Sequence, residues 1–186
     1  MKMTNKDLVS ELQGILAHSK NRALHYQPIS ADVLNAKVDD KTWSVLECLE
    51  HLNLYGDYYI PEMGKRMQTA KSSGKADTIF KSGLLGNYFA ELMQVKNGKM
   101  TKMSSPKDKN PNLAVLSKST VDKFISQCDA LHELLNQAIY CDLSKTKSAI
   151  SLSPFIKLRL GDTFRFVIYH IERHISQADK ALENAK

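Results

Sequence analysis

The chain has 186 residues, 42% of them hydrophobic and 25% charged, with a net charge of +6. These values are typical of one globular domain with a sizeable core. They exclude a membrane protein, since no window approaches the roughly 18 apolar residues of a membrane span. The first residues also lack the apolar core of a signal peptide. We therefore predict a cytoplasmic protein with no membrane partner.

Three cysteines, Cys48, Cys128 and Cys141, are odd in number and lack metal-type spacing. Reduced thiols explain them most simply, which agrees with a cytoplasmic location. We expect Cys48 and Cys128 to be small core residues.

The positive charge is concentrated in one segment. Residues 65–109 hold ten basic and three acidic residues, a balance of +7 that accounts for the whole net charge. Such a segment can attract an acidic partner, but scattered charges are more typical of a solvated loop. No aromatic residues are interleaved to stack bases, so we predict no nucleic-acid partner.

Helical patterns begin at the N-terminus. The apolar spacing predicts a first helix from about Asn5 to Leu24, which leaves His18 and His25 on the surface. A second helix starts at 42–44, where Ser44 and Glu47 have capping-box spacing. It continues to about residue 69, with a kink or brief break at Pro61.

Residues 70–113 form a long, basic excursion in which 80–95 suggests a short helix. A third long helix starts near Ser119, with Asp122 at capping distance, and leaves His132 exposed or marginal. An extended piece at 150–154 precedes the last helix, 161–183. Four long amphipathic helices predict an all-α four-helix bundle, formed by a single domain over residues 1–186. The long link between the second and third helices allows those two to be parallel.

The last helix carries His170 and His174, four residues apart and therefore about 40° apart on one face. Both flank its apolar stripe and lie outside a polar cluster that includes Arg165, Tyr169 and Arg173. Two imidazoles so placed either share a metal ion or are satisfied core residues. His51, on the inward edge of the second helix, is a candidate third ligand. Its strip also holds Tyr55, Tyr58 and Glu62.

Two stretches resemble the DinB-like superfamily: the W-S-x-x-E-x-x-x-H-L pattern of 43–52, and 160–174 with its H-x-x-x-H. The resemblance implies an up-down-down-up four-helix bundle with a long crossover link between helices two and three. It also implies a divalent metal ion held by His51, His170 and His174. Members include thiol-dependent transferases and isomerases and proteins considered metal hydrolases, and homodimers are common.

The leading hypothesis is a metal-dependent transferase or hydrolase acting on a small molecule. Its cofactors are zinc, nickel or iron and, in the thiol-dependent case, a low-molecular-weight thiol. Tyr55, Tyr58 and Glu62 are the candidates for catalytic roles. Glu172 points away from both neighbouring histidines, so we expect it to play no part. The alternative is a non-catalytic bundle that acts as a stress-linked or interaction protein.

Overall fold

The computed structural model describes residues 1–70, 75–95, 104–112 and 114–185. The described chain is mostly helical, as predicted, and none of its helices combines the length and apolar content of a membrane span. The helices are α1 (Asn5–Tyr26), α2 (Ala31–Asn35), α3 (Val45–Thr69), α4 (Leu84–Met93), α5 (Ser119–Ala138) and α6 (Leu160–Asn184), with a 3₁₀ turn at Lys107–Lys109.

The four longest helices form the core. Helices α1 and α3 each pack against both α5 and α6, and their apolar faces meet in one continuous cluster. Cys48 and Cys128 are buried in it, which confirms the prediction, and His18, His25 and His132 are exposed. This packing brings α3 and α6 side by side.

The start of α3 is held by the predicted capping box. The Ser44 hydroxyl accepts a hydrogen bond from the Glu47 amide, and the Glu47 carboxylate accepts one from the Ser44 amide. Of the kink or brief break predicted at Pro61, the structure contradicts the break, because α3 continues through that residue.

The second capping prediction is wrong. Ser119 is already the first helical residue of α5, and Lys118 precedes it without a capping side chain. Asp122 instead accepts a hydrogen bond from Gln27 Nε2, at 2.9 Å. An exposed contact with the residue that follows α1 therefore replaces the expected cap.

Two small antiparallel sheets correct the all-α prediction. Strand β1 (Lys2–Thr4) pairs with β2 (Ile79–Lys81), and β3 (Lys147–Ile150) pairs with β4 (Ser153–Arg159), with an irregularity in register at Ala149/Ile150. The extended piece predicted at 150–154 belongs to this second pair. The other strands are too short to show a clear alternating pattern.

The excursion contains the helix suggested for residues 80–95, which is α4, and it packs on α6. This contact corrects the prediction that the polar cluster of α6 faces away from the rest of the protein. Arg165 and Tyr169 are 2% exposed and Arg173 is 8% exposed. Arg165 Nη1 donates to Asp162 at 3.2 Å and to the Asn87 side chain at 3.0 Å. Lys71, Lys96, Lys99 and Lys102 of the basic segment lie outside the described residues.

Candidate metal centre

Three histidines converge between α3 and α6. His51 lies on α3, while His170 and His174 lie on successive turns of α6. Each offers a ring nitrogen, and the three nitrogens lie within 4.8 Å of one another. The Nε2 atoms of His51 and His170 are 3.1 Å apart. The three histidine residues are only 2%, 5% and 8% exposed, in chain order. The contact between α3 and α6 thus brings His51 next to two histidines that follow it in the chain by 119 and 123 positions.

The outer nitrogens of two of these rings contact oxygen acceptors. His51 Nδ1 lies 2.5 Å from the main-chain carbonyl of Lys109, and His174 Nδ1 lies 2.9 Å from Gln177 Oε1. A carbonyl oxygen only accepts, so each Nδ1 carries the proton and donates it. In a neutral ring this leaves the Nε2 lone pair free to face the centre of the cluster.

Burial keeps the three rings neutral. It lowers the pKa of His51 to about 4, although the Lys109 carbonyl acts in the opposite direction. Burial, followed by the neighbouring histidines His174 and His51, lowers the pKa of His170. Burial and His51 also lower the pKa of His174. Neutral imidazole is the form that binds a metal ion, so the cluster needs no deprotonation near pH 7.

Aromatic rings enclose the cluster. The Trp43 ring centre lies 4.7 Å from that of His51 and 5.6 Å from that of His174. Tyr55 lies 4.9 Å from His51 and 4.5 Å from His170. Burial raises the pKa of Tyr55 to about 12, so its phenol stays protonated at neutral pH. Tyr55 therefore offers a hydrogen-bond donor beside the histidines.

The structure separates the other two catalytic candidates from the histidines. The Tyr58 hydroxyl donates to the carbonyl of Ile150 at 3.1 Å. Glu62 accepts hydrogen bonds from the Ala149 amide at 2.9 Å and from Arg66 at 2.8 Å. The strip from residue 51 to 62 rises about 16 Å along a helix, so its far end meets the β3–β4 hairpin. Of the three, only Tyr55 contacts the cluster.

The donor set fits a divalent metal ion. Two nitrogens bound tetrahedrally to zinc lie roughly 3.3 Å apart, close to the observed 3.1 Å between His51 and His170. Three protein nitrogens without a fourth ligand are typical of catalytic rather than structural zinc sites. A metal-free arrangement is also chemically possible, with His170 Nε2–H donating to His51 Nε2. The cluster could therefore hold a metal ion, and a direct measurement distinguishes the two states.

Sequence reasoning gave no role to three supporting groups: Lys109, Gln177 and Trp43. Gln177 lies three residues after His174, and that helical spacing was a usable signal. The Lys109 contact is made by the main chain across 58 positions, so no side-chain pattern could reveal it. Trp43 belongs to the motif, but its contact with two histidines depends on the tertiary packing.

Two cavities lie near the cluster in the described part of the chain. A cavity of about 10 Å³ is lined by Tyr55, Gln127, Cys128 and His170 among others, which is room for about one water molecule. A larger groove, of about 210 Å³, runs along the end of α6 and reaches Trp43 and Gln177. Neither cavity is lined by all three histidines.

Comparison with known protein families places most of the chain in one of them. The family model of the DinB superfamily matches residues 19–178, which is more than four fifths of the chain. The matched span includes Trp43 and all three clustered histidines. No curated protein and no solved structure matches.

Proposed function

The chain belongs to the DinB superfamily, and from that premise we propose that it is a metal-dependent enzyme of transferase or hydrolase type. His51, His170 and His174 hold the divalent ion, which is zinc, nickel or iron. The proposal includes a single domain over 1–186 with up-down-down-up helix topology. It also includes a cytoplasmic homodimer and a small-molecule substrate, with a low-molecular-weight thiol as co-substrate in a transferase.

The histidine geometry is the observation that carries this proposal. Three buried, neutral imidazoles have ring nitrogens within 4.8 Å, and carbonyl oxygens hold the outer nitrogens of His51 and His174. Proteins usually orient a metal-binding histidine through a hydrogen bond from its other ring nitrogen to an oxygen acceptor. Core histidines also need acceptors for their buried N–H groups, so the convergence of the inner nitrogens is the part of this geometry that favours a metal site.

A bound ion would supply Lewis acidity, which lowers the pKa of a water or thiol and polarises a substrate oxygen. The protein's own residues do the rest. Trp43 and Tyr55 pack against the histidines and limit their exposure to solvent. The protonated Tyr55 hydroxyl, to which no described residue is hydrogen-bonded, donates to a substrate oxygen. Tyr58 and Glu62 form hydrogen bonds with the β3–β4 hairpin and take no part in proton transfer.

Activity assays on reconstituted protein test the proposal. Metal-free protein is loaded separately with zinc, nickel and iron, and thiol consumption by an electrophile and hydrolysis of an ester are followed. We expect activity that requires metal, is abolished in His174→Ala and is reduced about 100-fold in Tyr55→Phe. Equal activity in metal-free parent protein or in His174→Ala would contradict it.

A second candidate function rests on exposed apolar side chains. Leu84 on α4 is 96% exposed, Tyr88 beside it is 58% exposed, and Phe155 on β4 is 93% exposed. Such residues are typical of an interaction surface when they form a contiguous patch. A non-catalytic interaction protein would use them and would keep a closed histidine cluster. Loss of self-association in Leu84→Ser/Tyr88→Ser, in a protein that binds no metal, would favour this function.

A further inference from the structure

A groove of about 210 Å³ lies between the loop 36–43 and the last turns of α6. Its volume is below the roughly 300–1,000 Å³ of pockets for drug-sized ligands, so it suits a small metabolite. The Trp43 ring forms an aromatic wall, and side chains of Thr42 and Gln177 add polar groups. The groove therefore combines an apolar surface with hydrogen-bonding groups in a concave site.

The charged side chains that line the groove are all basic: Lys37, Lys41 and Lys180. Lys37 already has partners within the protein, because its Nζ contacts the Glu47 carboxylate and donates a hydrogen bond to Asn112 at 2.8 Å. No ion-pair partner of Lys41 or Lys180 occurs among the described residues, and both side chains are exposed. Two lysines thus remain available to a ligand.

Asp39, Asp40 and Asp179 lie within two positions of these lysines in sequence, and none of them lines the groove. The Asp179 carboxylate is paired with Arg22 instead, at 2.8 Å. The Asp39 carboxylate accepts hydrogen bonds from the main-chain amides of Lys41 and Thr42, at 2.8 and 2.9 Å. These bonds direct the Asp39 carboxylate toward the main chain of residues 41 and 42, and Asp39 does not line the groove. The field in the groove therefore favours an anion.

One groove residue also holds the histidine cluster. Gln177 Oε1 accepts from His174 Nδ1 at 2.9 Å, so the Gln177 amide has its two N–H donors left for the groove. Trp43 likewise contacts both His51 and His174. A ligand that accepts from the Gln177 amide would keep its oxygen on His174 and so preserve the metal-binding tautomer.

From these contacts we propose that the groove binds a small molecule with a carboxylate or phosphate group and an apolar body. Lys41 and Lys180 neutralise the anionic group, and the apolar body packs on Trp43. Binding to the groove does not require the metal. A second consequence does rest on the proposed metal site: because Gln177 joins the two, the anion and the metal each raise the affinity for the other.

The single tryptophan of the sequence gives a direct readout, because Trp43 lines the groove. Metal-free protein is titrated with phenyl phosphate, with benzoate and with uncharged benzyl alcohol, while tryptophan fluorescence is followed. The first two probes distinguish a phosphate from a carboxylate ligand. We expect a saturable change with at least one anionic probe and none with benzyl alcohol.

Matched lysine variants decide where the anion binds. Lys41→Gln/Lys180→Gln removes the two available charges, and Lys147→Gln/Lys157→Gln removes two exposed charges from the hairpin at the same net charge. We expect about tenfold weaker binding in the first pair and unchanged binding in the second. No saturable change with either anionic probe, or equal weakening in both pairs, would overturn the proposal. Thermal unfolding verifies that both pairs are folded.

The coupling is tested separately, with the metal affinity measured at zero and at saturating anionic probe. We expect tighter metal binding with the probe in the parent and no such gain in Gln177→Leu. Equal metal affinity with and without the probe would overturn the coupling. If no metal binds at all, the proposed function fails while the anion titration still tests the groove.

Discussion

Helix α6 carries two buried polar clusters, one made of opposite charges and the other of uncharged rings. Near its start, Asp162 and Arg165 form an ion pair that is 0% and 2% exposed in its side chains. Asp162 also accepts hydrogen bonds from the Gly83 amide and the Ser82 hydroxyl. Opposite charges and internal partners satisfy this cluster, apart from Arg165 Nε, which has no partner among the described residues.

About two turns later, the histidine cluster contains only uncharged rings, whose ring nitrogens lie within 4.8 Å of one another. Its outer contacts come from Lys109 and Gln177, but its centre has no charge of its own. The first cluster fastens α4 to α6 and completes the fold. The second could hold a metal ion between its three ring nitrogens. Burial of polar groups thus completes the fold in one case and, under the proposed function, prepares a binding site in the other.

The largest effect is expected where charge compensation is broken. Asp162→Asn leaves Arg165 buried without its counter-ion and should lower the free energy of unfolding by about 3–5 kcal/mol. Urea unfolding measures the loss. Asp129→Asn, which breaks an exposed pair with Lys20, should cost less than about 1 kcal/mol. Equal costs for the two variants would show that the first cluster is not structural.

Acid should weaken the metal-free fold through the second cluster. The unfolded chain has histidine pKa values near 6.5, whereas the pKa of His51 in the fold is about 4. Between these values the unfolded state binds more protons, so stability falls as the pH falls. The slope is at most about 1.4 kcal/mol per pH unit for each buried histidine.

Urea unfolding of metal-free protein from pH 7 to 4 measures this slope. His25 is exposed and its replacement in His25→Gln provides the control, which should keep the parent profile. A stability that does not change over this range would mean that the three rings are not held neutral by burial.

A smaller effect is expected for the outer contact of His174. Gln177→Leu removes the acceptor and should weaken metal binding about 10–100-fold, whereas Gln177→Glu keeps an acceptor and should bind at least as tightly as the parent. Competition with a chelator measures both affinities. Similar weakening in the two variants would point to packing rather than to the hydrogen bond.

The smallest effect is expected for Glu172. It is half-buried on α6, and burial raises its pKa, but it is not one of the clustered ligands. Metal titration of Glu172→Ala should therefore give the parent affinity. A strong loss would mean that the ion is not centred on the three histidines.

Local signals predicted much of this architecture. The capping box at Ser44, the helical stripes and the four-residue spacing of His170 and His174 depend on neighbours in sequence, and the structure agrees with them. The convergence of His51 with that pair also followed from its inward position. The resemblance to the family and the helical faces pointed to the same residues.

What the sequence did not reveal depends on tertiary contacts. Arg165 and Tyr169 are buried because α4 and α1 pack over a face that looks polar in sequence. Tyr58 and Glu62 share the strip of His51, yet they reach a hairpin whose position no helical pattern contains. Periodicity reports which residues share a face; it does not report which element covers that face.

Metal content tests the central claim most directly. Tag-free protein is dialysed, and its metals are measured by elemental mass spectrometry beside His174→Ala. We predict about one divalent ion per parent chain and a clear loss in the variant. No metal in the parent, even after reconstitution with zinc, nickel and iron, would contradict the account and make the three histidines core residues.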